Sequence, residues 1–175
     1  DARLDLRKEA LMDMTLFFED VYAAKQAFGY FEKQAAELDV SPMILRLSDL
    51  YKRHGKHQEV KVVLTEFIKK KSSSDVVPMA YVELMEASDK MKKYKDVVVL
   101  LQDMADICTP GSAWVKAQPD LVKDSSLHQF NEEGRGEYTA AQLCDMGFSK
   151  MALGYANKWL KTWSKDNTQI ELADA

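Results

Sequence analysis

His54 and His57 flank Gly55 and Lys56 in the stretch HGKH. Two imidazoles at that spacing suggest a metal site, and a glycine followed by lysine suggests a phosphate loop. Neither pattern is complete. A zinc site needs three or four convergent ligands, and no cysteine or third histidine lies near this stretch. A phosphate loop needs GxxxxGK followed by Ser or Thr. Leu50 stands where its first glycine belongs, and His57 where the hydroxyl belongs. The stretch reads as polar residues at a turn between helices.

Other groups capable of chemistry are equally short of partners. Lysines cluster in KMKKYK (Lys90 to Lys95, interleaved with Tyr94) and in KKK (Lys69 to Lys71). Such clusters can contact phosphates. The net charge of −4 and pI near 5.5 favour solvated turn residues beside an acidic body. His128, in LHQF, has no nucleophile or orienting group in evident register. Carboxylates are plentiful, but no pair is set apart in an apolar, cleft-like context. No catalytic, metal-binding or cofactor-binding residue is therefore expected. Trp159 and Trp163 lie four residues apart in KWLKTW, one turn after Tyr155. That face suits terminal packing or a partner anchor, since Trp and Tyr are frequent interface hot spots. Trp114, in SAWVKAQP, begins a helix and is expected to pack similarly.

Composition bounds the class. With 46% hydrophobic and 30% charged residues over 175 positions, the chain reads as one globular domain. A chain of that length buries roughly 70% of its unfolded surface. The longest apolar run, Val97 to Leu101, falls far short of the ~20 residues a membrane helix needs. Cys108 and Cys144 are too few for a disulfide framework, and no CxxC exists. Reduced, partly buried thiols in a reducing compartment are the expectation. The first residue is Asp1, which fits either a fragment boundary or a mature protein whose targeting segment has been removed.

The elements that must position these residues read as helices. Tyr81, Leu84, Met85 and Ser88 fall at i, i+3, i+4 and i+7; Tyr94, Val97, Leu101, Met104 and Cys108 continue a second stripe. Two amphipathic helices joined at Met91–Lys93 make a hairpin. Val97, Val98 and Val99 favour a strand locally, but about four turns of helical periodicity outweigh them. Val98 and Val99 lie off the main stripe and predict contact with a second neighbour.

The stretch from Pro42 to Lys69 can be laid over Pro78 onward without a gap. Ile44, Leu47, Gly55, Val60, Leu64 and Phe67 each fall 37 residues before Tyr81, Leu84, Lys92, Val97, Leu101 and Met104. Ala24, Phe28 and Phe31 precede Val60, Leu64 and Phe67 by 36. Such a period marks a solenoid of paired helices. Ser41 is expected as an N-cap, with Pro42 at the first helical position. The stretch 118–136 reads as an insertion with a turn of helix. A last hairpin turns at Met146–Phe148, and a polar tail forms an exposed arm. The predicted fold is all-α: a right-handed solenoid of about seven helices in a single domain, 1–175. Its units lie near 8–38, 42–72, 78–109 and 137–164, with the insertion at 118–136 and the arm at 165–175. The predicted core holds Leu47, Leu64, Phe67, Leu84, Leu101, Met104 and Tyr155.

AYVELMEASDKMKKYKDVVVLLQDM (Ala80–Met104) resembles a pentatricopeptide repeat, with Tyr81 as the aromatic near the start of its first helix and LLQDM as its ending. The Pro42–Lys69 unit resembles it less well, because Ile44 replaces the aromatic. The tetratricopeptide pattern is a poorer match, since Ile44, Ser48 and Val60 occupy its signature positions. Among RNA-reading pentatricopeptide proteins, a polar side chain just after the aromatic contacts the base edge. The matching residues here are Val82 and Leu45, and neither can form the hydrogen bond that base reading requires. Apolar groups there suit protein contact or burial within the array.

These features together also resemble the pentatricopeptide-like accessory subunits carried by the mitochondrial F1-ATPase of euglenozoan protists. That resemblance implies a non-catalytic structural role in ATP synthase. It also implies matrix location and attachment to the outside of the F1-ATPase α subunit, without cofactor, small-molecule ligand or membrane insertion. Leu45, Val82, Trp159 and Trp163 are then the partner-contact candidates. The alternatives are a mitochondrial RNA-associated pentatricopeptide protein and a peptide-binding tetratricopeptide adaptor. A groove lined with Lys and Asn would favour the adaptor.

Overall fold

The computed structural model describes the backbone of residues 2–123 and 136–173, and the side chains of 3–122, 136–158 and 161. Among the described residues the fold is all-α, with eight α-helices. They are α1 (Ala2–Val21), α2 (Ala27–Ala35), α3 (Ser41–Arg53), α4 (His57–Lys70), α5 (Val77–Lys90), α6 (Tyr94–Cys108), α7 (Ala113–Ala117) and α8 (Ala140–Ala173). A 3-10 turn at Ala24–Gln26 leads into α2. α1 packs on α2 and α3, each of α3 to α5 packs on the helix that follows it, and α8 lies on α5. None of the described helices is long and apolar enough to cross a membrane.

The turns between α3 and α4 and between α5 and α6 have the same geometry, offset by 37 residues. Gly55 and Lys92 both take the left-handed conformation, with φ of 70° and 59°. The next N–H in each case reaches back to close the helix: Lys56 to the Tyr51 carbonyl and Lys93 to the Ser88 carbonyl, both at 2.8 Å. This is the Schellman closure of a helix C-terminus. Glycine adopts it freely, whereas Lys92 does so with a Cβ. Proline occupies the first turn of both α3 (Pro42) and α5 (Pro78), where its missing N–H leaves no helical bond unmade. Ser41 is not the N-cap. Val40 holds that position, and the Asp39 carboxylate accepts from the Ser41 N–H (3.2 Å) and hydroxyl (2.9 Å).

Burial follows the same offset. Ala24, Phe28 and Phe31, then Val60, Leu64 and Phe67, then Val97 and Met104 are all buried. Leu101 is only half-buried. Leu47 and Leu84 complete the buried part of the predicted core, whereas Tyr155 is 40% exposed. The valine-rich segment is helical, as periodicity predicts. Its second apolar edge, however, is left largely open: Val98 is 67% and Val99 59% exposed.

The C-terminal region departs most from expectation. In place of a hairpin, α8 runs unbroken through Met146–Phe148 and on to Ala173, so the predicted arm at 165–175 is helical over most of its length. Gly147 marks a close approach rather than a turn. A Cβ there would lie 2.6 Å from Met104 Cε and 3.6 Å from Pro78 Cβ. The predicted insertion is closed at its base by two short antiparallel strands, β1 (Val122–Lys123) and β2 (Glu137–Tyr138). Residues 124–135, including His128 and the helical turn expected there, lie outside the described residues. Trp114 is buried on α7, where its Nε1–H donates to the Ser74 carbonyl at 2.8 Å.

The cysteines are not free thiols. Cys108, at the end of α6, and Cys144, in the first turns of α8, form a disulfide with Cα atoms 6.0 Å apart. The bond spans 36 residues of sequence and ties α8 to α6.

Candidate functional site

Three devices fix α8 against α5 and α6. Gly147 admits close contact, the Cys108–Cys144 bond ties α8 to α6, and Glu83 joins three helices. The Glu83 side chain is almost fully buried, yet its carboxylate receives Lys52 of α3 at 2.6 Å and Lys150 of α8 at 2.9 Å. Burial alone would raise the pKa of this carboxyl. The two ammonium groups outweigh burial and hold it below its ordinary value. Lys52 also reaches Glu86 at 2.9 Å, and despite its own desolvation its pKa is raised by these carboxylates.

Beyond this junction α5 and α8 frame an open cleft of about 430 Å³. Val82 and Met85 line it from α5, and Met151 and Tyr155 from α8. These pairs are three and four residues apart, so each lies on one helix face. The α5 pair is buried and floors the cleft, whereas Met151 and Tyr155 are partly exposed to it. Gly154 lies between the α8 pair and leaves open space beside it. Around the apolar lining stand Glu86, Asp89, Lys90, Lys150, Lys158 and Lys161, with Asn157. Lys158 grips Asp89 at 2.8 and 3.0 Å and lies 5.7 Å from the Tyr94 ring centroid. Its hydrogen bond to Asp89 raises its pKa. Lys150 is taken by Glu83. Lys90 and Lys161 have no ion pair among the described residues. The cleft thus offers apolar surface and surplus positive charge, the ingredients of recognition.

The predicted contact residues fall in different places. Leu45 is 3% and Val82 1% exposed. They are core residues of this chain, which is the burial within the array that their apolar character suits as well as protein contact. Leu45 joins the main core, and Val82 packs with Met85, Val97 and Met104 beneath the cleft. Trp159 and Trp163 lie on α8, but their side chains are outside the described residues. His54 serves structure: its Nδ1 is 2.5 Å from a Glu19 carboxylate that also receives Lys56 at 2.7 Å. No three His, Cys, Asp or Glu side chains among the described residues converge as metal ligands would. In the KKK cluster, Lys70 pairs with Glu32 and Glu66, and Lys71 with Asp39. Of the KMKKYK cluster, Lys90 reaches the cleft.

Sequence reasoning missed Glu83, Lys150, Met151, Lys158 and Lys161. A signal for Glu83 existed, a lone carboxylate between Val82 and Leu84 in an otherwise apolar stretch. Compared with known proteins, the chain matches no family model, no curated protein and no solved structure.

Proposed function

We propose that this chain is a non-catalytic accessory subunit of the mitochondrial F1-ATPase. It docks on the α subunit through the surfaces of a right-handed, pentatricopeptide-like solenoid. One observation carries the choice over RNA recognition. Leu45 and Val82, at the positions where RNA-reading relatives of this pattern hold polar groups, are apolar and buried. A base edge can be read only by an accessible donor or acceptor.

Further features support the reading. The α3–α4 and α5–α6 turns repeat atom for atom in their hydrogen bonding at an offset of 37. Ion pairs link residues about one period apart: Lys56 to Glu19, Lys61 to Asp96, Lys70 to Glu32. Exposed apolar side chains on α1 (Leu6, Phe17, Val21) and α6 (Val98, Val99) are surfaces that gain by losing water against a protein. Matrix location rests on the resemblance alone. The Cys108–Cys144 bond argues for an oxidising compartment, and the thiol state of protein taken directly from mitochondria decides the matter.

A second reading, a peptide-binding adaptor, is favoured by the lysines and Asn157 around the α5–α8 cleft. Mixing the purified chain with isolated F1 and with single-stranded RNA separates the proposals. The accessory role predicts a stable complex with F1. An RNA-associated role predicts oligonucleotide binding that weakens steeply with salt, and that result with no F1 complex would overturn the proposal.

A further inference from the structure

We infer that the cleft between α5 and α8 receives an acidic amphipathic helix presented by a protein partner. The inference rests on reading the chain as a protein-docking subunit, and deepens it by naming the chemistry of the docked segment. Met151 and Tyr155 on α8 present apolar surface to a trough whose closed floor is Val82 and Met85 of α5, each 1% exposed. A helix laid between two others fills such a trough with residues at i, i+3 and i+4. The opening beside Gly154, where a notional Cβ meets nothing within 4 Å beyond its chain neighbours and its own helix backbone, leaves room for one of its apolar side chains.

Charge selects which helix enters. Four lysines and two carboxylates line the cleft. Lys158 is neutralised by Asp89, Glu86 by Lys52, and Lys150 by Glu83 beneath the cleft. Lys90 and Lys161 remain as surplus positive charge on opposite walls among the described residues. A ligand with carboxylates over Lys90 and Lys161 and apolar residues over Met151 and Tyr155 complements both features. A basic helix would set like charges against each other, which discriminates between partners as well as favouring one. Because the surplus lysines are exposed, the attraction weakens with added salt.

Two synthetic helical peptides serve as probes, both with leucines at i and i+4 and one bearing glutamates where the other bears lysines. The full chain should bind the acidic peptide about tenfold or more tightly than the basic one. Lys90→Glu with Lys161→Glu should remove or reverse that preference. Gly154→Leu should fill the trough and weaken the acidic peptide about tenfold, while melting no lower than the parent chain. Equal binding of both peptides, or peptide affinity unchanged in both variants, would overturn the inference. F1 binding is measured on the same variants. Unchanged F1 binding with lost peptide binding removes the cleft from F1 docking and leaves the accessory role standing. Peptide binding as described without F1 binding keeps the cleft and overturns the accessory role.

Discussion

Lys150 of α8 lies 2.9 Å from the carboxylate of Glu83 in α5, across 67 residues of sequence. Lys52 of α3 occupies the other carboxylate oxygen, so one buried acid holds three helices. Removing it takes the carboxylate from Lys150 and leaves Lys52 with Glu86 alone. Both lysines are a third or more exposed and can turn to water, which limits the loss. Glu83→Ala should cost about 2–3 kcal/mol and Glu83→Gln about 1–2 kcal/mol. Urea denaturation checks both, and a double-mutant cycle with Lys150→Met should show coupling between the two sites.

Acid should release the same junction. Unfolded, the Glu83 carboxyl titrates near 4.5, and in the fold its pKa is lower. A depressed carboxyl contributes stability that is complete above the unfolded value and is lost as pH falls through the folded one. Glu19, held down by Lys56 and His54 against the effect of burial, acts in the same direction. The melting temperature should therefore be nearly level from about pH 7 to pH 5 and fall below about pH 4.5. In Glu83→Gln the acid limb should be shallower. An identical limb in the variant would show that Glu83 does not carry the transition.

The Cys108–Cys144 bond closes a loop of 36 residues that contains α7, β1 and β2. On loop entropy alone, its reduction or the Cys144→Ser variant should cost about 3–4 kcal/mol. Reduction should raise hydrogen exchange first in the early turns of α8, where the tie to α6 is lost. Intact mass after alkylation, with and without reductant, establishes the bond directly.

Two glycines of one helix should respond oppositely to the same substitution. Gly147→Leu drives a side chain into Met104 and Pro78 and should cost about 1–3 kcal/mol. Gly154→Leu enters open space and gains helix propensity of roughly 0.5–1 kcal/mol. Thermal melts of the pair test the placement of α8 without reference to any partner.

The hairpin units were legible because their signals are local. The register that sets Gly55 over Lys92 follows from sequence spacing, and the two turns have matching bonds. What neighbours what was harder. Val98 and Val99 belong to a helix that sequence reads as covered on two sides, yet both are mostly exposed, because apolar periodicity does not reveal whether a neighbour arrives. Gly147 reads as a turn residue in sequence, but Met104 and Pro78 give it a packing role that appears only when α8 is in place. The cleft was invisible for the same reason. Lys158 meets Asp89 across 69 residues, outside any local pattern.

The most direct test of the central proposal is native mass spectrometry of the tagged chain purified from mitochondria of the organism that encodes it. The account predicts F1 particles containing α and β subunits with this chain at a fixed ratio, and dissociation that releases it together with α. Recovery of the chain with ribosomal or RNA-processing factors, or alone and free of F1, would contradict it.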